Sequence, residues 1–242
     1  MKNDGFRMRS SGLKHFYRRQ AVLVILVWIW MFLGSILVIL LTAYIKGVSV
    51  NFDRIVDMLN KEPYLASYAE VVGVGGLPLA ITLFRRDNLQ IYGLQRKGTI
   101  SSMLLSIPLA IVIFVLRFFY GGLSISSFNL QFPYNIWYAT LGAFAYGPLE
   151  SFFVIWLIVN TDSIFKSLRE KFSPGLLITV VVFSLSHIIL SPQAGIANVI
   201  RVAIEWLILS LIFEYTKNSI GPMFAWTLIN GQVFYLVTGC LT

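Results

Sequence analysis

Cysteine is nearly missing from this chain: its 242 residues include one, Cys240. A single thiol excludes an intramolecular disulfide and any metal cluster built on cysteines. Cys240 stands third from the end, in Gly-Cys-Leu-Thr, whereas a prenylation box needs cysteine in fourth place, so that lipidation is not expected. Histidine is almost as scarce, with His15 and His187 only. Charge is scarce too, at 12% of residues where a soluble domain carries about 25%. Internal repeats, low-complexity stretches and dividing linkers are also lacking.

Apolar residues fill the space that charge leaves. The chain is 57% hydrophobic with a mean hydropathy of +0.76, the composition of an integral membrane protein. A net charge of +8 would suit nucleic acid, but its placement argues otherwise. Lys2, Arg7, Arg9, Lys14, Arg18 and Arg19 precede the first apolar run, and Arg85, Arg86, Arg96 and Lys97 share one loop. Basic residues at the ends of apolar runs mark the cytoplasmic side of a membrane protein. No nucleic-acid partner is expected.

A span needs about 20 mostly apolar residues, and seven segments qualify: 21–45, 64–84, 99–119, 134–160, 174–191, 194–215 and 219–240. The first is too long for a signal-peptide core and lacks a small-residue cleavage site, so it reads as a retained span. The second is interrupted by Glu70 and by Gly73, Gly75, Gly76 and Pro78, with Glu70 expected near its outer end. The basic arm, the loops 85–98 and 161–173 and Lys217 fall on one side. The expected fold is therefore all-α, a polytopic membrane bundle of about seven transmembrane helices, N-inside and C-outside. Residues 1–20 read as a cytoplasmic arm and 21–242 as a single transmembrane domain. The stretch 50–61, apolar at helical spacing, reads as a helix along the outer surface.

Glu150 is the only charge between Tyr134 and Thr161. An ionisable side chain at membrane depth is costly, faces the protein interior and marks a functional site by default. On a rise of roughly 1.5 Å per residue, Glu150 lies about 15 Å into its span, His187 about 20 Å and Asn230 about 17 Å. A carboxylate, an imidazole and a carboxamide thus share one level. His187 follows Phe183 by four residues, on one helix face, and serves equally as a packing or a site residue. Asn230 also suits an interhelical hydrogen bond worth about 1 kcal/mol. Arg201 and Glu205, four apart, read first as a self-neutralising pair and second as auxiliaries of the site. Glu214 reads as a solvated charge at the boundary.

Together these segments resemble the CAAX protease and bacteriocin-processing family of intramembrane endopeptidases, which includes type II prenyl-protein proteases and bacterial Abi proteins. That family carries Glu-Glu-x-x-x-Arg, Phe-x-x-x-His and His-x-x-x-Asn on separate membrane helices. The matching stretches here are GPLESFFVIW (147–156), FSLSH (183–187) and TKNSIGPM to LIN (216–230), within a core of about 85–235. Leu149 and Ser151 flank Glu150 where the family has a second glutamate, Ile155 or Val154 replaces its arginine, and Trp226 replaces its second histidine.

The resemblance implies a multi-pass cell-membrane protease acting on a membrane-embedded or lipidated peptide or protein. Glu150 would be general base on a water, His187 would orient that water or protonate the leaving amine, and Asn230 would hold the oxyanion. Trp226 would be auxiliary. The cofactor is none or zinc, and any metal would rest on Glu150 and His187, one ligand short of the usual open zinc site. A slow, specialised or inactive protease is expected. Two other classes compete. One is a catalytically degenerate scaffold that binds a peptide or lipid. The other is a proton-coupled transporter, which needs a polar path to both faces, and the helix of Glu150 reads as having no outward polar path.

Overall fold

The computed structural model describes residues 4–62, 64–119, 132–165, 172–190 and 195–230, and among these it is all-helical. The helices are α1 (Asp4–Ile45), α2 (Phe52–Lys61), α3 (Tyr64–Ala69), α4 (Leu77–Arg85), α5 (Thr99–Phe119), α6 (Tyr134–Phe144), α7 (Glu150–Ile164), α8 (Pro174–Leu190), α9 (Gly195–Thr216) and α10 (Ile220–Ile229). Two π-helical segments interrupt them. Glu70–Gly76 joins α3 to α4, and Ala145–Leu149 joins α6 to α7.

Among the described residues, five stretches are long and apolar enough to cross a membrane: Arg19–Ile45, Tyr64–Arg85, Thr99–Leu116, Tyr134–Ile164 and Gly195–Thr216. The two other expected spans form shorter helices, Pro174–Ile189 and Ile220–Ile229. Residues 231–240 of the last lie outside the described residues. Large apolar side chains are exposed along the long helices, among them Ile25, Leu33 and Leu37 on α1 and Leu104 and Val112 on α5. An exposed apolar face of that extent suits lipid rather than water.

The chain divides into two compact units drawn from distant parts of the sequence, residues 1–29 with 154–207 and residues 30–153 with 208–242. In the first, Val154 to Ile158 of α7 are all but fully buried. The Gln20 amide donates to Asn160 Oδ1, and the Asn160 amide donates to Trp156 O at 2.7 Å. Asp162 caps α8: it accepts from Ser173 Oγ at 2.8 Å and from Gly175 N–H at 2.7 Å.

In the second unit, close backbone approaches set the geometry. A Cβ on Gly221 would stand 2.4 Å from Ser102 O, so only glycine lets α10 lie against α5 there. Asn218 fastens the turn before α10, its amide reaching Gln95 O at 2.6 Å and Lys97 O at 3.1 Å. The basic loop and Lys217 therefore share one end of this unit. Tyr64 stacks on Tyr134 with centroids 5.8 Å apart, and a Cβ on Gly75 would meet Leu149 Cγ at 2.1 Å. The run from α3 through its π segment is thus parallel to the run from α6 through its own.

The outer-surface expectation for 50–61 is modified. Helix α2 spends its apolar face on protein, with Ile55, Met58 and Leu59 packed on Ala43, Val48 and Leu65. The chain turns back at Glu62 to start α3, which brings Leu65 under α2. Lys46 Nζ pairs with Glu62 at 2.7 Å beside this cluster.

Gly221→Ala is expected to lower the melting temperature in detergent, because overpacking against fixed backbone costs about 1–3 kcal/mol. An unchanged melting temperature would contradict the contact. A second expectation concerns acid. The Lys46 ammonium, and after it the Tyr64 hydroxyl, hold the Glu62 carboxyl below its ordinary value of 4.5. A depressed carboxyl stabilises the fold above its ordinary pKa, and that contribution fades as pH falls through the folded value. The pair is partly exposed, so the effect is small. Lys46→Met should flatten the loss of melting temperature below about pH 4.5; an unchanged acid limb would contradict it.

Candidate functional site

The second π segment explains where Glu150 sits. Pro148 has no N–H, so the regular helix ladder fails at that point. The Glu150 N–H reaches back five residues to Ala145 O, and in the regular register it would have bonded Tyr146 O. The Asn230 amide donates to Tyr146 O at 2.9 Å instead. Gly147 makes room for this approach, since a Cβ there would stand 2.0 Å from Thr227 Oγ1.

Glu150 is 5% exposed, and its Oε2 accepts two hydrogen bonds from α10. Trp226 Nε1 donates at 2.8 Å and Asn230 Nδ2 at 3.0 Å. Trp226 therefore faces the glutamate with an N–H donor. Both hydrogens of the Asn230 amide are in use, one on Tyr146 O and one on Glu150. Donation to an oxyanion, the role the resemblance implies, would require one of them to be released.

A second carboxylate joins the first. Glu70 opens the first π segment, which packs on the second. The Glu70 and Glu150 carboxylates are close enough to interact electrostatically, and the Tyr146 hydroxyl stands in the field of both. Glu70 was expected near an outer end, apart from the site, yet it belongs to the surroundings of Glu150. A signal existed: Glu70 precedes Gly76 and Pro78 much as Glu150 follows Gly147 and Pro148. The role of Tyr146 carried no such signal.

His187, Arg201 and Glu205 belong to the other compact unit. His187 is half-buried, and its Nδ1–H donates to Phe183 O at 2.9 Å, which leaves Nε2 as an acceptor. Its ring meets the edge of Phe183 at 5.0 Å, and Phe183 in turn meets Trp206 at 6.0 Å. Arg201 pairs with the buried Glu205 at 2.7 Å and donates to Asn198 Oδ1 at 2.6 Å, so the self-neutralising pair is present. His187 stands in the field of Arg201. Val154 and Ile155 are fully buried.

Among the described residues, no three His, Cys, Asp or Glu side chains gather where they could hold a metal. The groups that face Glu150 Oε2 are N–H donors, which are not metal ligands. The donor set does not fit a three-ligand zinc centre, and no step is routed through one. Beside the site runs an apolar groove of about 490 Å³, lined by Ala143, Phe144, Pro148, Met223, Thr227 and Leu228.

No family model matches the chain, and no curated protein or solved structure matches it.

Glu150→Ala would leave the Trp226 and Asn230 donors without their acceptor, at about 1–3 kcal/mol for each buried orphan. Glu150→Gln keeps an oxygen that can accept both. Chemical unfolding in detergent should therefore find the alanine variant less stable than the glutamine variant. Equal stabilities would show that these two hydrogen bonds hold nothing.

Proposed function

We propose that this protein is an intramembrane endopeptidase of seven membrane helices, N-inside and C-outside in the cell membrane, that cleaves a membrane-embedded or lipidated peptide. The observation that carries the reading is buried Glu150, held by two N–H donors near an apolar groove, with the Glu70 carboxylate within its electrostatic reach. A carboxylate pair is a minimal set for acid–base hydrolysis. Glu150 removes a proton from water as the water oxygen bonds to the scissile carbonyl carbon. The C–N bond then breaks, and Glu70 delivers a proton to the leaving amine. The pair supplies, from two helices, the two carboxylates that the family draws from adjacent positions. The groove suits the apolar part of such a substrate. His187 enters through the resemblance, with Nε2 as its available atom.

A second reading has its own observation. The Trp226 and Asn230 donors fasten α10 to the Tyr146–Glu150 turn, as a non-catalytic scaffold would require. Purified protein in lipid nanodiscs, offered prenylated and unprenylated membrane peptides, separates the two. Cleavage that is lost in Glu150→Gln, lowered at least about tenfold in Glu70→Gln and weakened in His187→Ala supports the protease. No cleavage of any peptide, or cleavage indifferent to Glu150, supports the scaffold.

A further inference from the structure

We infer that a column of tyrosines forms a hydrated track by which water and protons reach the Glu70–Glu150 pair from the Glu62 end of the second unit. The inference rests on the carboxylate pair as a site and not on peptide cleavage.

The column is written in steps of four: Tyr134, Tyr138, Gly142, Tyr146, Glu150. Residues four apart share a helix face. Each step overshoots a 3.6-residue turn, and the wider π turn at Ala145–Leu149 takes part of that drift back. Gly142 adds no bulk at the middle of the column. On the parallel helix, Tyr64 stacks on Tyr134, and the Trp137 indole N–H donates to Tyr68 Oη at 2.7 Å. Tyr64 donates to Glu62, which also pairs with Lys46, so the mouth of the column is polar.

The depths are consecutive. Counting about 1.5 Å per residue outward from the Gly75–Leu149 contact, Tyr146 lies roughly 5 Å away, Glu70 roughly 8 Å and Tyr138 roughly 17 Å. Glu70 thus fills the gap between the two inner tyrosines, and Tyr146 interacts electrostatically with Tyr138, Glu70 and Glu150 alike. The outward polar path that seemed lacking on the helix of Glu150 is made of phenols, which carry no charge.

Exposure argues that the track is wet. Glu70 and Tyr146 are half-buried rather than sealed, although both lie inside a candidate span. An ionisable side chain is expensive at that depth, so the part of its surface that Glu70 keeps is assigned to water rather than hydrocarbon. An interfacial aromatic belt accounts for Tyr64, Tyr68, Tyr134 and Trp137. It does not account for Tyr146, about 18 Å along its helix from Tyr134, or for Tyr138, which is 8% exposed while its neighbours Ile136 and Trp137 are 46% and 47% exposed.

The test uses the full chain in lipid vesicles, with Cys240→Ser as background. Tyr138→Cys and Tyr146→Cys are treated with a cationic, membrane-impermeant thiol reagent, beside Ile136→Cys on the exposed face of the same helix. Modification of the two former tyrosine positions should be faster by at least about tenfold. Rates equal to that of the apolar control would overturn the track. Because cysteine itself makes space, Tyr138→Phe and Tyr146→Phe, which keep the ring, are followed by infrared spectroscopy after transfer to D2O. Deuterium uptake by the protonated carboxyl of the pair, identified by the band missing in Glu70→Gln or in Glu150→Gln, should slow by about tenfold in each tyrosine variant. Uptake as fast as in the parent would also overturn it. An intact track in a protein that cleaves nothing would refute the protease alone.

Discussion

Everything in the second unit turns on one buried carboxylate oxygen. Glu150 Oε2 is buried, and Trp226 on α10 and Asn230 at its C-terminal end each donate an N–H to it. Leaving a buried polar group without its partner costs more than the bond contributes when made. That asymmetry fixes the rotation of α10, because Trp226 and Asn230 must face the same oxygen. It also explains the close packing around them, where Gly147 meets Thr227 and Gly221 meets Ser102.

The π segments are the device that makes this possible, and the chain uses it twice. Broken helix ladders are tolerated in membranes only when other groups satisfy the freed carbonyls. Here side chains from other helices do so in both places. Trp30 Nε1 donates to Val72 O at 2.9 Å in the first segment, and Asn230 donates to Tyr146 O in the second. Each segment adjoins one glutamate, so two wide turns packed on each other bring two carboxylates from distant sequence within electrostatic reach. Single-turn π segments cluster at functional sites, and these two frame the surroundings of Glu150 on which the proposed acid–base chemistry rests.

Much of this was legible in the residues, and the remainder was hidden for physical reasons. Helical class and the long apolar stretches follow from composition and run length, which lipid dictates directly. Glu150 and Asn230 stood out because polar groups are rare at depth, and the structure brings them together. Trp226 as a donor was visible only as a missing histidine, since indole reads as packing until its N–H is seen to point at an acceptor. Glu70 was hidden by axial position: counting residues from the span end set it apart from Glu150, while the parallel run of the two helices brings it within electrostatic reach. The division into two units was invisible, because it falls within α1, α7 and α9 rather than at a linker. His187 lies in the other unit, with partners of its own in Phe183 and Arg201.

The central claim is that Glu70 and Glu150 act as one acid–base pair, and titration tests it most directly. Infrared spectroscopy of the protein in lipid can follow each carboxyl with pH, using Glu70→Gln and Glu150→Gln to assign the bands. Groups that interact share their titration steps, so replacing Glu70 should move the midpoint of Glu150, and replacing Glu150 should move that of Glu70. Midpoints that stay where they were in both variants would contradict the pair, and with it the chemistry built upon it.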